Sequence, residues 1–296
     1  MSFSISYVIS TRNRLPFLRI TLERLISELL PDEEIAVVDG NSTDGTKEYL
    51  QQLFEEGKIH QFVSEPDHNQ AHAWNKVMLM ARGTILKKIM DDDVFAYDAI
   101  RACKNLMLSS PEIDICISNV LNTNLTEPEN ITFGSRLDYF NEWKDRKAGC
   151  FTFSDVYMLV RRSSLSYLGL YDVQFSQIDW EYALRCSYLK ARIAYYTGCN
   201  ALSVDRPGNV TSARTKEIIK LQADIVKVKY GYEGDFARMS LWSKIKIAVG
   251  KMIGYQKGKQ AVKQKQAAGD LAATYEEFYS ILEKYNREHT GDFFVS

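Results

Sequence analysis

The stretch of sequence that decides the fold is Thr84-Ile85-Leu86-Lys87-Lys88-Ile89-Met90-Asp91-Asp92-Asp93. Its first seven residues form a mainly apolar run that predicts a buried β-strand, and three consecutive carboxylates follow directly. Neighbouring carboxylates repel one another and lose hydration on burial, so a folded chain usually keeps them at the end of a strand. A divalent cation, often with a phosphate behind it, offsets their charge there. The stretch therefore predicts a metal-bridged diphosphate site.

The triplet stands within a repeating pattern. From residue 4 to about residue 118, strand-like runs alternate with segments whose apolar residues recur every three or four positions. This alternation predicts βαβ crossovers and an α/β fold, with a Rossmann-like, mainly parallel central sheet flanked by helices. The predicted strands are Ile5–Ser10, Glu34–Asp39, Ile59–Ser64, Thr84–Met90 and Ile113–Ser118, and the predicted helices are Pro16–Leu29, Thr46–Phe54, Gln70–Ala81 and Ala96–Leu108.

Ligands of such sheets bind beyond the carboxyl ends of the parallel strands. Four of the five segments that follow the predicted strands are strongly polar or acidic, and all five should meet in one crevice. They are Thr11–Arg14, Asp39–Ser42, Glu65–His68, Asp91–Asp93 and Asn119. On the triplet alone, a solvated turn that caps the next helix explains the carboxylates equally well. The convergence of the segments favours a binding site.

The second part of the chain predicts further regular structure after an irregular stretch. Residues 119–150 are polar, contain Pro128, Gly134 and Gly149, and predict a long loop or insertion near the site. Regular structure resumes at residues 155–162, and two short strands follow near 192–196 and 201–204. We expect a catalytic domain over 1–213, with a nucleotide-binding half (1–118) and an acceptor-side half (119–213), and a helical, Lys-rich extension over 214–296.

Composition excludes several other classes of protein. The hydrophobic fraction of 45% and the charged fraction of 25% are those of an ordinary globular protein. A net charge of −1 argues against a general nucleic-acid binder. The five cysteines are dispersed and predict reduced, mostly buried thiols in a cytosolic protein, and the four histidines show no zinc-ligand spacing. No apolar run approaches the ~20 residues needed to span a bilayer, so we expect a soluble or peripheral protein.

The chain resembles the glycosyltransferase family 2 enzymes, which have the GT-A fold and transfer a sugar from a nucleotide donor. The segments that carry the resemblance occur in the order typical of the family, across about 200 residues. They are Val8–Arg14, Val37–Thr46, Glu65–Gln70 with Asn75-Lys76, Asp91–Asp93, Gly169–Asp172 and Asp179–Arg185.

The resemblance implies roles on the donor side. Thr11 and Arg14 would line the base pocket, and Asp39 would accept a hydrogen bond from the nucleobase or ribose, as a carboxylate can from a uracil N–H. Asp67 would also face the nucleotide, and Lys76 would reach a phosphate. A cap for the turn after residue 39 and an ordinary solvated lysine are the structural alternatives for Asp39 and Lys76.

The resemblance also implies a role for each aspartate of the triplet. Asp91 corresponds to the residue that contacts ribose, Asp93 to the metal ligand, and Asp92 assists between them. Oxygen-only ligation favours Mg²⁺ or Mn²⁺ bridging the two phosphates of the donor. Arg206 lies where the family often closes a loop over the diphosphate, so it is a further candidate phosphate contact.

Asp179 matches the catalytic carboxylate of the family, which removes the proton from the acceptor hydroxyl. The family usually has Glu immediately before this residue, but this chain has Ile178, and Arg12 replaces a usual aromatic residue in the base pocket. A helix N-cap is the structural alternative for Asp179. Glu181 is a weaker candidate for the base, because its spacing from Arg185 is that of an ordinary ion pair on a helix.

Residues 238–265 contain seven Lys and one Arg with no acidic residue, interleaved with apolar residues at helical spacing. A basic amphipathic helix can lie at an anionic membrane surface, or it can pack its apolar stripe on the domain with its lysines in water. We favour peripheral membrane contact at the cytoplasmic face, because members of the family often glycosylate lipid-linked acceptors.

Together these features predict an inverting, metal-dependent glycosyltransferase that uses a nucleotide sugar, expected to be UDP-linked, and a glycan or lipid-linked acceptor in bacterial surface polysaccharide synthesis. Two alternatives remain at this point. One is a sugar-1-phosphate nucleotidyltransferase, which would be expected to have a Gly-rich, basic loop where this chain has Thr11–Pro16. The other is a non-catalytic module that binds sugar nucleotides or glycans.

Overall fold

The structure is a computed structural model that describes residues 3–206, 216–232, 234 and 271–296. The strands are β1 (Ile5–Thr11), β2 (Glu33–Asp39), β3 (Gln61–Ser64), β4 (Ile85–Ile89), β5 (Val94–Phe95), β6 (Ile115–Ser118), β7 (Val120–Asn124), β8 (Glu127–Gly134), β9 (Met158–Arg161), β10 (Ile193–Tyr196), β11 (Ala201–Asp205) and β12 (Phe293–Val295). The helices are α1 (Leu15–Glu28), α2 (Thr46–Glu55), α3 (Gln70–Met80), α4 (Tyr97–Ser109), α5 (Leu137–Lys144), α6 (Leu165–Leu168), α7 (Ile178–Tyr188), α8 (Lys216–Tyr230) and α9 (Leu271–Glu288).

The central sheet has the strand order β12-β10-β6-β9-β4-β1-β2-β3. Neighbours from β4 to β3 run parallel, as do β6 and β10, whereas β9 and β12 pair antiparallel with their neighbours. This confirms the predicted α/β class with a mainly parallel sheet. The five predicted strands and the four predicted helices of residues 4–118 are all present, with ends that differ by at most two residues.

Strands of the sheet bury both faces, which explains their nearly continuous apolar sequence. In β1, Ile5, Tyr7 and Ile9 pack with Leu18, Leu22 and Leu25 of α1, while Val8 packs on the opposite face with residues of α3 and α7. Residues on a strand alternate between the two faces, so helices cover the sheet on both sides. The carboxyl ends of β1, β2 and β4 are thereby left as the open edge of the layer.

Of the two alternatives predicted for residues 119–150, a long loop or an insertion, the loop was wrong. The segment forms β7 and β8, which belong to a second sheet in the order β5-β11-β7-β8, followed by α5. Strand β8 lies at the edge of this sheet and its side chains are half-buried or exposed, so its polar sequence carries no apolar alternation. Because β5 follows the aspartate triplet directly, this second sheet fixes the far side of the triplet.

The described part of the C-terminal segment packs against the catalytic fold. Helix α9 buries Tyr275, Phe278, Tyr279 and Leu282 with residues of β11, and β12 pairs with β10 at the edge of the central sheet. A domain boundary at residue 214 remains a prediction, and the basic segment 238–265 lies outside the described residues. The five cysteines are free and buried, as predicted. Among the described helices, none has the length and apolar character that a bilayer span requires.

Candidate active site

The register of the sheet brings the ends of three strands together. Thr11 pairs with Asp39 across β1 and β2, and Ile9 pairs with Ile89 across β1 and β4. Asp91 follows Ile89 by two residues, as Thr11 follows Ile9, so Thr11 lies between the two carboxylates. Its hydroxyl donates to Asp91 Oδ2 at 2.6 Å. The parallel pairing of the strands thus brings together residues that are far apart in sequence, such as Thr11 and Asp91, which are 80 positions apart.

A cavity of about 310 Å³ opens at this edge, and we name it the donor pocket after the role that the sequence predicts for its residues. The ends of β1 and β4, the loop after β3 and the first turns of α3 surround it. The predicted residues Thr11, Arg14, Asp67 and Asp91 all line it. Arg12 lines it too, in the place where the family usually has an aromatic residue.

Two arginines compensate the central carboxylate of the triplet. Arg14 Nη1 lies 2.6 Å from Asp92 Oδ2 and 3.3 Å from Asp91 Oδ1, and Arg206 Nε lies 2.7 Å from Asp92 Oδ2. The side chains of Asp91 and Asp92 are 5% and 8% exposed. The backbone is held as well, because Thr21 donates to the Asp91 carbonyl at 3.0 Å and Tyr275 to the Asp92 carbonyl at 2.7 Å. The structure therefore places Arg206 at the triplet.

Asp93 is buried on the side of the second sheet, where its Oδ1 accepts a hydrogen bond from the Val204 backbone N–H at 2.7 Å. Burial, and then the neighbouring Asp92 charge, raise the pKa of Asp93 to about 8. The same two causes raise the pKa of Asp91 to about 6. Ionisation of these two carboxyls is therefore unfavourable in the folded protein, and the positive charge of a bound cation would favour it.

The donor set fits a hard divalent cation. The triplet offers carboxylate oxygens, which Mg²⁺ and Mn²⁺ prefer. Within residues 3–206, 216–232 and 271–296, no group of three or more His, Cys, Asp or Glu side chains forms a complete metal site. A cation at Asp93 would therefore take its remaining ligands from phosphate oxygens and water, as Mg²⁺ commonly does in nucleotide sites.

Asp39 and Lys76 have protein partners in the structure. Asp39 is fully buried and accepts hydrogen bonds from the Ser42 backbone N–H at 3.0 Å and the Ser64 hydroxyl at 2.6 Å. This is the turn-capping arrangement, and a contact of Asp39 with the nucleotide remains a prediction. Lys76 Nζ lies 2.6 Å from Asp67 Oδ1 and 2.9 Å from Glu65 Oε1. Lys76 thus supports Asp67 beside the donor pocket, and its phosphate contact also remains a prediction.

A second cavity of about 320 Å³ adjoins the first, and we name it the acceptor pocket after the role that the sequence predicts for Asp179. Gln70 and Met90 line both cavities, so the two are contiguous. Asp179 enters the acceptor pocket from the first turn of α7, and Ile219 of α8 lines it as well. Asp91 and the candidate base Asp179 therefore line two adjoining cavities that share Gln70 and Met90.

Sequence reasoning missed Lys88 as a residue of this pocket. Its Nζ lies 2.5 Å from Asp155 Oδ2, which also accepts a hydrogen bond from Tyr171 at 2.8 Å, and 4.2 Å from the centre of the Trp74 ring. The pair is buried and lines the same cavity as Asp179. The signal was present in the sequence, because Lys87-Lys88 interrupts an otherwise apolar strand, where an unpaired charge would be costly.

The surroundings of Asp179 suit a general base. Burial, and then the Asp155 carboxylate, raise the pKa of Asp179 to about 6, while the Lys88 ammonium and backbone N–H groups at the start of α7 oppose the rise. A carboxyl with this pKa is ionised at neutral pH and is a stronger base than a solvated one. The N-cap of α7 is Gln177, so the alternative of Asp179 as the N-cap was wrong.

Glu181 does not face the acceptor pocket. It is fully buried, lies 2.9 Å from Arg185 Nη2 and accepts a hydrogen bond from the Tyr230 hydroxyl of α8 at 2.5 Å. These bonds hold α8 against α7 and leave Asp179 as the carboxylate of α7 that is available for chemistry.

Comparisons with known proteins agree with this geometry. Structures with the same fold include S. aureus TarS 1–349 in complex with UDP-GlcNAc, at 17% identity and a TM-score of 0.58, covering 77% of this chain and 68% of that one. The mannosyltransferase PcManGT from Pyrobaculum calidifontis, in complex with GDP-Man and Mn²⁺, matches at 16% identity and a TM-score of 0.52, covering 97% and 88%. A search of curated proteins gives no match.

The fold is therefore GT-A. The family described as Glycosyl transferase family 2 matches residues 6–169, which is more than half of the chain and includes the donor pocket, the aspartate triplet and Asp155. The protein is a glycosyltransferase and belongs to glycosyl transferase family 2.

Proposed function

We propose that this enzyme is an inverting, metal-dependent glycosyltransferase that moves a sugar from a UDP-sugar to a saccharide acceptor. The observation that carries the proposal is the shared wall of the two pockets. Gln70 and Met90 separate a cavity that holds Asp91 from one that holds Asp179. A donor in the first cavity and an acceptor hydroxyl in the second would meet at this wall.

The donor would occupy the pocket at the ends of β1 and β4. Thr11 and Arg14 would line the base pocket, Asp39 and Asp67 would face the nucleoside, and Asp91 would contact ribose. Structures of the same fold hold UDP-GlcNAc, UDP or GDP-Man, which supports a nucleotide-sugar donor. Two of these three ligands contain uridine, so we choose UDP.

The diphosphate would lie against the triplet. Arg206 already meets Asp92 there, and a small change of its side chain would let it contact a phosphate oxygen; Lys76 is the second candidate for such a contact. Asp93 would hold Mn²⁺ or Mg²⁺, with Asp92 beside it. When bound, the cation supplies charge that stabilises the departing nucleoside diphosphate.

Asp179 would act on the acceptor hydroxyl. As the acceptor oxygen forms its bond to the anomeric carbon, the hydroxyl proton passes to the Asp179 carboxylate, and the bond from the anomeric carbon to the diphosphate oxygen breaks on the opposite side. General-base assistance of this kind is typically worth about 10²–10⁴ in rate. A single displacement inverts the anomeric centre, so an α-linked donor gives a β-linked product.

The acceptor would be a glycan or a lipid-linked saccharide of a bacterial surface polysaccharide, and the enzyme would work in the cytoplasm. The polar lining of the acceptor pocket, with Ser154, Ser176 and Gln177, supports a hydroxyl-rich acceptor. Residues 238–265 would hold the enzyme at an anionic membrane. Sedimentation with anionic liposomes tests this part, and an absence of binding at low salt would remove it.

The experiment for the reaction compares the wild type with Asp179→Asn. A panel of UDP-sugars is incubated with Mn²⁺ or Mg²⁺ and saccharide acceptors, and donor consumption and the anomeric configuration of the product are followed by NMR. We expect β-linked product from an α-linked donor, loss of turnover on chelation, and a loss of at least about 10²-fold in Asp179→Asn with donor binding retained. Asp172→Asn, which changes a carboxylate of the preceding turn outside the pocket, should keep its activity.

Other outcomes would contradict the proposal in distinct ways. Retained turnover in Asp179→Asn would remove this residue as the base, and an α-linked product would remove inversion. Donor binding without turnover of any donor by the wild type would favour the non-catalytic module. Release of pyrophosphate from a nucleoside triphosphate and a sugar 1-phosphate would favour the nucleotidyltransferase, which the family match does not support.

A further inference from the structure

A third cavity, of about 370 Å³, lies between α1, the start of α4 and α9, and we call it the α9 cleft. Its walls include Arg24 and Glu28 of α1, Tyr97 of α4, and Tyr279 and Glu283 of α9. None of its lining residues also lines the donor pocket or the acceptor pocket. Its volume falls in the lower part of the ~300–1,000 Å³ range of small-molecule sites. The α9 cleft is thus a separate cavity that can hold a small ligand.

The walls of the α9 cleft contain polar groups that lack partners. Within the described chain, Arg24 Nε, the Tyr97 hydroxyl and the Tyr279 hydroxyl are buried and make no hydrogen bond. The two tyrosines are only 4% and 3% exposed. An unsatisfied buried polar group costs about 1–3 kcal/mol, so native structures seldom gather several at one place unless something else bonds them. A cavity whose walls hold three such groups offers a ligand polar atoms to bond.

The charges of the α9 cleft restrict the class of that molecule. Arg24 is already paired, with Glu283 at 3.0 Å and Glu28 at 3.6 Å, and the remaining charged groups of the lining are Asp98 and Arg287. Three carboxylates therefore face two guanidinium groups. This balance disfavours phosphates, nucleotides and other anions, and it leaves uncharged ligands with many hydroxyls.

Apolar surface in the α9 cleft suits one class of such ligands. Phe95, Tyr196 and Leu282 line it beside the polar groups. A sugar ring presents C–H groups on its faces and hydroxyls around its edge, so it can pack on such surface while it bonds the polar groups. The α9 cleft thus combines apolar surface with convergent polar groups, as small-molecule sites usually do.

We propose that the α9 cleft binds an uncharged saccharide unit of the glycan that this glycosyltransferase elongates. The proposal rests on the saccharide acceptor of the proposed function. A glycan bound there stays on the enzyme between transfers, which raises its effective concentration at the acceptor pocket for chains long enough to reach both sites. Helix α9 also contacts the aspartate triplet, because the Tyr275 hydroxyl of the same helix donates to the Asp92 carbonyl.

The test titrates methyl-labelled full-length enzyme with the neutral disaccharides maltose, cellobiose and lactose. Methyl groups of Leu282 and Ala99 report on the α9 cleft, and that of Ile178 on the acceptor pocket. We expect at least one disaccharide to shift the Leu282 and Ala99 signals saturably. Tyr97→Phe with Tyr279→Phe should weaken this binding about 5- to 100-fold, since it removes two hydrogen bonds.

Tyr49→Phe is the matched control. Arg19 lies 4.7 Å from the centre of the Tyr49 ring, as Arg24 lies 4.8 Å from that of Tyr279, and the Tyr49 hydroxyl is likewise without a partner. Tyr49 does not line the α9 cleft, so its substitution should leave disaccharide binding unchanged.

Three results would overturn the proposal. The first is that none of the three disaccharides shifts the Leu282 and Ala99 signals up to the highest concentration that dissolves. The second is equal binding by the double variant. The third is a lower melting temperature of the double variant without ligand, which would mean that water already satisfies the two hydroxyls. Donor hydrolysis measured on the same samples separates these results from a failure of the proposed function, because the α9 cleft is outside the donor pocket.

Discussion

Asp179→Asn should make the protein more stable at neutral pH while it removes transfer. The protein raises the pKa of Asp179 from an ordinary 3.8 to about 6 through burial and the nearby Asp155 charge. The folded state therefore holds a proton on this carboxyl more tightly than the unfolded chain does. As the pH rises from about 4 to about 6, the unfolded chain ionises first, and the free energy of unfolding falls. Above about pH 6 the free energy of unfolding has fallen by the full amount that the pKa shift allows.

The size of the effect follows from the shift. A difference of about two pKa units corresponds to at most about 3 kcal/mol, at about 1.4 kcal/mol for each unit, and water reduces the value because the Asp179 side chain is half-buried. Asparagine carries no charge at any pH and retains a side-chain oxygen for the N–H groups at the start of α7. Asp179→Asn should therefore raise the free energy of unfolding by up to about 3 kcal/mol at pH 7 and by close to nothing at pH 4.

Urea unfolding followed by circular dichroism at several pH values between 4 and 8 measures this difference. Asp145→Asn is the control, because Asp145 is exposed and should give a difference near zero throughout. A stability difference for Asp179→Asn that stays constant across the range would refute the reasoning, because a constant value cannot come from ionisation. A loss of stability at pH 7 would show that the Asp179 charge is well solvated or paired in the folded state.

The charges around the active site predict the effects of four further substitutions. Asp155→Asn removes a charge that raises the pKa of Asp179, so the acidic limb of the pH profile of kcat/KM should move to lower pH. Lys88→Met removes a charge that lowers this pKa and should move the acidic limb to higher pH; pH–rate profiles of both variants check the two directions. Tyr275→Phe deletes the bond from α9 to the Asp92 carbonyl and should lower the free energy of unfolding by about 1 kcal/mol in urea titrations. Arg14→Met leaves Asp92 with Arg206 as its remaining arginine and should reduce the protection that UDP gives against thermal unfolding.

The residues of the donor pocket could be predicted from sequence, because each of them follows a strand that a short stretch of sequence identifies. Each strand of residues 4–118 is an apolar run, each is followed by polar residues, and parallel strands place those residues at one edge. Thr11, Arg14, Asp67 and Asp91 accordingly line one pocket. The sequence pattern does not specify which charged side chains form ion pairs at this edge of the sheet. The link from Lys76 to Asp67 depends on side-chain reach across a loop, which residue spacing does not encode.

Three of the four strands of the second sheet were missed for a related reason, and only β11, near residues 201–204, was predicted. Strands are recognised by apolar alternation, and alternation reflects burial of one face. Strand β8 has no fully buried residue, so the property that identifies a strand is absent from it although it pairs with β7. Its place in the fold is set by the partner strand, and the sequence of residues 127–134 alone does not contain that information.

The acceptor pocket was the hardest part of the site to predict from sequence, because its properties depend on contacts between residues from separate segments of the chain. Asp179 alone matches a family position, but its basicity depends on Asp155 and Lys88, which come from a short helical turn and from β4. Lys88 looks misplaced in an apolar strand until the tertiary structure supplies Asp155 at 2.5 Å. A buried charge in a strand is stable only if a partner exists elsewhere, so Lys87-Lys88 already implied an unseen carboxylate or carbonyl cluster behind the triplet. That inference requires asking where a charge is neutralised, and it would have predicted a buried partner for Lys88 before the fold was known.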